Sequence, residues 1–249
     1  MFVVKYLSEL QVLYYTFDTE EDDVITDRSG TGNNGKIVGE PKWITGKIGK
    51  ALQFDAKDNY IEVPDSESLK PDGITIAMWV NWSGGPLPAK PIQKYTYQQG
   101  GYLFKMENTE TNMWIYDEAA QAHMYRAVPL PAPGEWTHLA VTFDGKNQRG
   151  YVNGVKAEQG GNVDMPWEGP IGHMDVPLYI GAYGSDTFTG MIDDVAIYNR
   201  ALSEEEILGI MEEGHAKVAV RPLGKLAARW AYIKIGLLSI SPLVNRPMD

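Results

Sequence analysis

Two stretches of sequence decide the fold, VLYYTFD at residues 12–18 and GMIDDVAIYNRALS at residues 190–203. Each contains an apolar run of strand length, and each delivers an aspartate, Asp18 in the first and Asp194 in the second. We expect the two strands to meet at the ends of one domain and the two carboxylates to share a cation. The alternative is that Asp18 belongs to a turn and Asp194 is a solvated strand residue.

Short apolar segments between these two stretches are separated by Gly, Pro and Asn-Gly turns, which is typical of an all-β sandwich. Asp144-Gly145 and Asn153-Gly154 tolerate the positive φ of tight turns and therefore predict two hairpins. The predicted strands are Val12–Phe17, Ala51–Phe54, Tyr60–Val63, Ile74–Trp82, Tyr102–Met106, Asn112–Tyr116, His123–Ala127, Trp136–Phe143, Gln148–Val152, Leu178–Ile180 and Gly190–Tyr198.

Alternation within Ile74–Trp82 gives one fully apolar face, which we expect to pack in the core. The opposite face is intermediate in character and is a candidate ligand-binding concavity. A short helix is predicted to begin at Ser203, because Glu206 completes a capping box, and to end at Gly214.

Composition and charge exclude several classes of protein. The formal net charge of −11 disfavours nucleic acid as a partner and suits calcium, which binds oxygen ligands. The absence of cysteine removes disulfides and thiolate metal sites but does not exclude export. Apolar runs are broken well before about 20 residues, so we predict no membrane insertion. The first seven residues do not form a recognisable secretory signal.

The chain divides by charge into a domain at residues 11–215 and a tail at residues 216–249. The tail holds six of the 22 Lys and Arg residues but only one of the 33 acidic residues. We expect its first part to pack on the sandwich or on a neighbouring domain and its last part to be disordered.

Several blocks in a fixed order carry a resemblance to a known family. They are GKIGKALQFD at 46–55, NYIEVPDSESL at 59–69, ITIAMWV at 74–80, EWTHLAVTFDG at 135–145 and IDDVAIY at 192–198. Together with the two end stretches, they resemble the laminin G-like branch of the concanavalin A-like lectin/glucanase superfamily. The resemblance implies a two-sheet antiparallel jelly-roll sandwich with one short C-terminal helix. It also implies an extracellular or cell-surface binding module, and it leaves the ligand open, because relatives bind glycans, proteins or steroids or act as spacers.

The resemblance further implies one structural calcium ion, held by Asp18 and Asp194 with help from backbone carbonyls. The turns at Ser29–Gly35 and Gly46–Gly49 are candidates for those carbonyls. Strand alternation sends Asp193 and Asp194 to opposite faces, so only one of them is expected to reach the ion unless a bulge intervenes. The resemblance implies that this residue is Asp194.

Other acidic positions are weaker metal candidates. Asp27 is expected to cap its own turn. Asp55, Asp58 and Asn59 form a second acidic loop, which is either a second calcium site or an Asx-turn.

The chain contains 7 Trp and 14 Tyr residues, and an exposed ring beside polar side chains is a typical sugar platform. The candidate ligand-binding residues are Trp114, Tyr116, Trp167 and Tyr183; the alternative for each ring is a place in the core. Trp79 and Trp136 have the pattern of core residues.

Catalysis is not indicated. His138 shares a face with Trp136 and Ala140, which favours a packed, hydrogen-bonded histidine. Glucanases on this fold place acids in a Glu-x-Asp-x-x-Glu arrangement along one strand, and no predicted strand has it. The sequence therefore predicts a calcium-stabilised lectin or adhesion module of a larger surface or exported protein, binding carbohydrate or an extracellular protein. The alternatives are a structural spacer or protein-interaction domain and, more remotely, a glycoside hydrolase.

Overall fold

A computed structural model of the protein describes residues 10–20, 23–55, 58–157, 165–166, 169–181, 183–184 and 186–215. Seventeen strands, one α-helix and one short 3₁₀-helix (Glu67–Leu69) lie in this part of the chain. The strands are β1 (Gln11–Tyr15), β2 (Val24–Ile25), β3 (Gly35–Val38), β4 (Lys42–Thr45), β5 (Lys50–Phe54), β6 (Tyr60–Val63), β7 (Ile74–Trp82), β8 (Ala89–Thr96), β9 (Gly100–Glu107), β10 (Glu110–Tyr116), β11 (Ala122–Pro129), β12 (Trp136–Phe143), β13 (Asn147–Val152), β14 (Val155–Lys156), β15 (Met165–Pro166), β16 (Leu178–Gly181) and β17 (Gly190–Tyr198); the helix is α1 (Glu204–Glu213).

The strands form two antiparallel sheets. The nine-stranded sheet has the order β14-β13-β12-β7-β17-β5-β4, with β1 also paired to β17 and β15 to β13. The eight-stranded sheet has the order β11-β10-β9-β8-β16-β6-β3-β2. The two end stretches do meet: Gln11 lies opposite Tyr198, and Tyr15 lies opposite Val195. The predicted pairing of the first and last strands is confirmed.

The core lies between the sheets. Ile74, Ile76, Met78 and Val80 of β7 are fully buried there, as alternation predicts. Facing side chains from the eight-stranded sheet include Ile61, Tyr102 and Phe104. The structure thereby confirms an all-β, two-sheet jelly-roll sandwich with one short helix.

Local signals for turns and for the helix also hold. Asn153 and Gly154 have φ values of 49° and 79°, the left-handed values that a tight hairpin between β13 and β14 requires. At the start of α1, Ser203 Oγ accepts from Glu206 N at 3.3 Å, and Glu206 Oε2 accepts from Ser203 N at 3.0 Å. The capping box is therefore present, and Gly214 follows the last turn.

One expectation about the nine-stranded sheet is wrong. The outer face of β7, expected to be half-open, is buried: Ala77 is fully inaccessible and Trp79 is 7% exposed. The alanines of β7, β12 and β17 form a second apolar cluster with Ile207 and Ile210 of α1. Small side chains let the helix lie close to the sheet, so this face is covered and offers no concavity.

No helix in the described ranges has the length and apolar character needed to cross a membrane. The tail at 216–249 and Trp167 lie outside the described residues.

Candidate ligand face and candidate metal site

The outer face of the eight-stranded sheet differs in character from the covered face. Core residues such as Ile61, Phe104 and Ile115 point inward, so their strand neighbours point outward. The strand register places five residues of neighbouring strands side by side in one row. From β6 through β16, β8 and β9 to β10, they are Glu62, Tyr179, Gln93, Leu103 and Trp114. We call this surface the aromatic face; its members are Tyr60, Glu62, Gln93, Tyr95, Leu103, Lys105, Glu107, Asn112, Trp114, Tyr116, Tyr179 and Tyr183.

Three half-buried tyrosines form a platform at one side of the aromatic face. The rings of Tyr179 and Tyr183 are stacked, with centroids 3.5 Å apart and planes 6° apart. Tyr60 stands edge-on to both, at 5.6 Å from Tyr179 and 5.0 Å from Tyr183. Gln93 Nε2 donates to the backbone oxygen of Tyr183 at 3.2 Å and fixes the loop that carries this ring. The three rings thus contact one another and are partly accessible.

A second aromatic pair lies over the β8–β10 part of the face. Tyr95 and Tyr116 are nearly parallel, with ring centroids 6.1 Å apart. They flank Gly101, where φ is +100° and an added Cβ would lie 2.1 Å from the backbone oxygen of Lys94. Only glycine fits at this position. Tyr116 is 1% exposed, so it supports Tyr95 rather than offering a free surface.

Trp114 lies in a polar setting at the far end of the aligned row. Lys105 Nζ is 4.9 Å from the centre of its ring, and the same ammonium group pairs with Glu107 Oε2 at 2.8 Å. Asn112 Nδ2 donates to Glu107 Oε1 at 3.0 Å. Among the described residues, neither Asn112 Oδ1 nor Trp114 Nε1 has a hydrogen-bond partner, although both atoms are buried.

Three of the four predicted ligand-binding residues, Trp114, Tyr116 and Tyr183, therefore lie on one face. Sequence reasoning missed Tyr60 and Tyr179. Both alternate with core residues in short strands, so the alternation within β6 and β16 was the signal that could have found them.

The candidate metal site lies at an interruption in the pairing of β17. One edge of β17 is shared by two strands, with β5 opposite Gly190–Ile192 and β1 opposite Val195–Tyr198. Asp193 and Asp194 fall in the gap between them, where the register with β7 also shifts. Asp194 has a φ of 47°, so the strand contains the bulge that simple alternation does not anticipate.

The bulge gives the two neighbouring carboxylates different partners. Asp193 is fully buried, and its Oδ2 accepts from Ile48 N at 2.9 Å, inside the predicted Gly46–Gly49 turn. Asp194 is 3% exposed, and its Oδ1 accepts from the Tyr14 hydroxyl at 3.0 Å. Asp193 therefore anchors the glycine turn, and Asp194 faces the end of β1.

Asp18 approaches the same turn from the other side. Its Oδ1 accepts from Lys50 N at 3.0 Å and lies against the Cα of Gly49, where any side chain would collide with it. Burial raises the pKa of Asp194 to about 6, and the nearby negative charge of Asp18 adds to the increase. Burial and the charge of Asp194 raise the pKa of Asp193 to about 7.

The carboxylates at this position supply only part of the donor set that calcium requires. Two buried acids lie beside a third, Asp18, and neither Asp193 nor Asp194 forms an ion pair with any described residue. In the described ranges, no three His, Cys, Asp or Glu side chains form a group able to hold a metal. A site here would therefore combine carboxylates with backbone carbonyls and water, as calcium sites commonly do.

The weaker metal candidates have other partners. Asp27 accepts from Tyr14 N and Ser29 N at 2.9 Å each, as a turn-capping aspartate does. Asp55 pairs with Lys42, and Asn59 Oδ1 accepts from Glu40 N at 3.0 Å. Asn59 therefore stabilises the neighbouring loop through this hydrogen bond.

His138 is packed but lacks the expected hydrogen bonds from its ring. Its ring centre is 5.2 Å from that of Trp79, and the side chain is fully buried. Neither ring nitrogen has a partner among the described residues. Burial lowers its pKa to about 3, with a smaller contribution from His215, so the ring is neutral and serves packing.

Comparison with known proteins identifies the class and then the family. Two antiparallel sheets joined in this order define a jelly-roll sandwich of the concanavalin A type. Residues 55–208 match the laminin G family of the concanavalin A-like lectin/glucanases superfamily, and the chain belongs to that family.

Two relatives are pappalysin-1 proteins. The chain is 24% identical to pappalysin-1 of Mus musculus over 182 residues, and 23% identical to that of Homo sapiens over 201 residues. These matches cover 66% and 74% of this chain but only 11% and 12% of the relatives. The chain thus spans about a tenth of the length of the curated relatives it matches.

Solved structures share the fold at low sequence identity. The binding domain of Paraclostridial Mosquitocidal Protein 1 has a TM-score of 0.69 at 17% identity, covering 83% of this chain and 53% of that one. Domain 4 of AbnA, a GH43 extracellular arabinanase from Geobacillus stearothermophilus, was solved in complex with arabinotriose. Its TM-score is 0.64 at 20% identity, and the match covers 81% of this chain and 98% of that one. The receptor binding domain of the botulinum neurotoxin C/D mosaic serotype has a TM-score of 0.66 at 13% identity, and the match covers 83% of this chain and 52% of that one.

Proposed function

We propose that this chain is a non-catalytic carbohydrate-binding module of a larger exported or cell-surface protein, and that it binds glycans on the aromatic face. The observation that carries this proposal is the half-buried platform of Tyr60, Tyr179 and Tyr183, set beside Gln93 and Glu62. Rings of this kind bind the apolar side of a sugar, and nearby polar groups bind its hydroxyls. A structural spacer would have no use for such a surface.

The aromatic face is also extended. Neighbouring strands are about 4.8 Å apart, so Tyr179 on β16 and Trp114 on β10 are separated by roughly 14 Å along the aligned row. That distance favours an oligosaccharide over a single sugar. Domain 4 of AbnA shares the fold and was solved with arabinotriose, which is consistent with this size of ligand.

The acidic residues of the aromatic face support binding without catalysis. Glu62 and Glu107 are three strands apart, and Glu107 lies four residues beyond Leu103, which shares the row of Glu62. Strand spacing and rise place their backbones roughly 20 Å apart. Glycoside hydrolysis requires two carboxyl groups within about 10 Å of each other. These two acids do not meet that requirement.

We propose that calcium binds to this chain as a structural ion. Asp194 and Asp18 would hold it, with carbonyls of the Gly46–Gly49 turn as further ligands, and Asp193 would fix that turn. The ion would neutralise the buried acids where β1, β5 and β17 meet. All of these residues belong to the nine-stranded sheet or its turns, whereas the aromatic face belongs to the other sheet.

The first experiment is binding to a broad glycan array, in calcium and in chelator side by side. Specific signals for neutral oligosaccharides in calcium are expected. A blank array from protein shown to be folded by its melting curve would contradict carbohydrate binding. That result would favour adhesion to an extracellular protein, the role suggested by the receptor-binding domains among the structural relatives.

A further inference from the structure

Four side chains of β9 and β10 form a polar cluster at the Trp114 end of the aromatic face. We call it the Asn112 subsite; its members are Lys105, Glu107, Asn112 and Trp114. Register places Lys105 directly opposite Asn112, and Trp114 lies two residues further along the same face of β10.

The hydrogen bonds within this cluster fix the orientation of the Asn112 amide. A carboxylate is an acceptor only, so Glu107 Oε1 must receive the Nδ2 group of Asn112, at 3.0 Å. Glu107 is held in turn by Lys105, whose Nζ is 2.8 Å from Oε2. Asn112 Oδ1, which is an acceptor, therefore points away from Glu107. The Asn112 side chain is buried, at 1% exposure.

Ten buried side-chain polar atoms lack hydrogen-bond partners in the described part of the chain, and two of them belong to the Asn112 subsite. Asn112 Oδ1 is an acceptor without a donor, and Trp114 Nε1 is a donor without an acceptor. Buried polar groups in native proteins are nearly always bonded, so each unpartnered atom requires an explanation. Both atoms belong to outward-facing residues of one strand and have almost no accessible surface, so a ligand that displaces the side chains above them would supply the missing partners.

We propose that Asn112 and Trp114 are specificity-determining residues for an uncharged, hydroxyl-rich ligand. A sugar hydroxyl donates to Asn112 Oδ1, and a second hydroxyl or a ring oxygen accepts from Trp114 Nε1. The inference rests on the proposed carbohydrate function and narrows it to neutral glycans.

Charge within the subsite supports that choice. Lys105 and Glu107 neutralise each other, so this pair presents no net charge to an acidic sugar. A sugar carboxylate placed against Asn112 Oδ1 cannot donate to it, so a hydroxyl is favoured over a carboxylate at this position. A neutral sugar hydroxyl both donates and accepts and therefore suits either atom. Trp114 and Asn112 are two residues apart, a separation of about 7 Å, so they contact different positions on the ligand.

The test compares W114F and N112L with the wild-type chain by titration with arabinotriose, xylotriose, cellotriose and trigalacturonate. W114F keeps a ring and removes only the N–H donor. N112L keeps the approximate shape and removes the acceptor together with the Nδ2 donor to Glu107. W136F is the matched control, since Trp136 is also partly buried but lies on the nine-stranded sheet. Melting curves verify that each variant is folded.

We expect wild type and W136F to bind at least one neutral trisaccharide with equal affinity. Each subsite variant should bind it roughly tenfold more weakly, the effect of losing one hydrogen bond. The indole N–H signal of Trp114, identified by its loss in W114F, should shift on binding in a nitrogen–proton correlation spectrum. Trigalacturonate should bind more weakly than the neutral ligand.

Wild-type affinity in both folded subsite variants would overturn this inference and leave the proposed function standing. Preferred binding of trigalacturonate would overturn the neutral selectivity in the same way. If wild type binds none of the trisaccharides, the inference fails, and the glycan array decides separately whether the proposed function fails with it.

Discussion

The outer faces of the two sheets differ in side-chain size and polarity. On the nine-stranded sheet, alanines at positions 77, 140 and 196 lie against α1, and Ile207 and Ile210 of the helix belong to the same buried cluster. On the eight-stranded sheet, the corresponding surface carries tyrosines, Trp114 and paired charges, and no described helix lies over it. Side-chain size and polarity therefore decide which of the two outer faces packs against α1.

The largest expected effect is on the covered face. Ile207→Ala removes a fully buried side chain from the helix and leaves a cavity against the sheet. We expect the free energy of unfolding to fall by about 2–5 kcal/mol. Urea denaturation measures this change. Val155→Ala, at a half-exposed position on β14, is the control and should leave the midpoint unchanged. A change below about 1 kcal/mol for Ile207→Ala would mean that α1 does not depend on this contact.

Removal of the candidate metal site should be next in size. Asp194→Ala should lower the melting temperature and abolish its response to calcium. Binding to the folded state alone is worth about 3 kcal/mol when free calcium is a hundred times Kd. Because the site and the aromatic face lie on different sheets, glycan binding well below the melting temperature should persist in the variant. An identical melting curve with and without calcium in the wild-type chain would contradict the proposed site.

A smaller and different effect is expected on the aromatic face. Tyr179→Ala breaks the stacked pair with Tyr183 and should weaken glycan binding roughly tenfold, in line with the worth of one aromatic contact. The half-buried ring contributes little to the core, so stability should change by less than about 1 kcal/mol. Parallel titration and denaturation of this variant and Ile207→Ala would show the contrast. Loss of stability without loss of affinity would assign the tyrosines to packing.

The smallest effect concerns the one histidine packed on the Trp79 ring. In the folded state the pKa of His138 is lowered to about 3 by burial, whereas an unfolded histidine titrates near 6.5. The unfolded chain therefore binds more protons between these values, and this histidine makes the fold less stable as pH falls below about 6.5.

His138→Phe should remove that contribution. At pH 7 we expect no loss of stability, or a gain of about 1 kcal/mol, because two unpartnered buried nitrogens disappear. Urea midpoints at pH 7 and pH 5 should differ less in the variant than in the wild-type chain. An equal pH dependence in both would show that other groups govern acid sensitivity.

Much of the sandwich could be predicted because local pattern and tertiary environment agree. The predicted bounds of β6, β7, β12 and β17 are those of the structure, since alternation and flanking turns mark them. β8 was missed because Pro91 and two lysines interrupt its apolar pattern. Lys94 is nevertheless buried, and its ammonium group bonds to Asp65 and to the backbone oxygens of Met174 and Val176. Such distant partners leave no trace in the local sequence.

The candidate sites show the same limit. Asp18, Asp194, Trp114, Tyr116 and Tyr183 could be selected by residue type and position. The bulge at Asp193 and Asp194 could not, because it arises where β5 ends and β1 takes over along β17. Likewise, the stacking of Tyr179 on Tyr183 depends on how a loop folds back over β16.

The pairing of β1 with β17 has a consequence for how the molecule forms. Gln11 Nε2 donates to the Tyr198 hydroxyl at 3.1 Å, although the two residues are 187 positions apart in sequence. In the same sheet, β7 lies between β12 and β17, and both of these strands come much later in the chain than β7. During synthesis, β1 and β7 emerge long before their partners and must wait for them with unpaired edges. Non-local pairing of this kind is slow, on the order of milliseconds to seconds. The nine-stranded sheet is thus completed last. Its unpaired strand edges are the part of the nascent chain most exposed to wrong pairing.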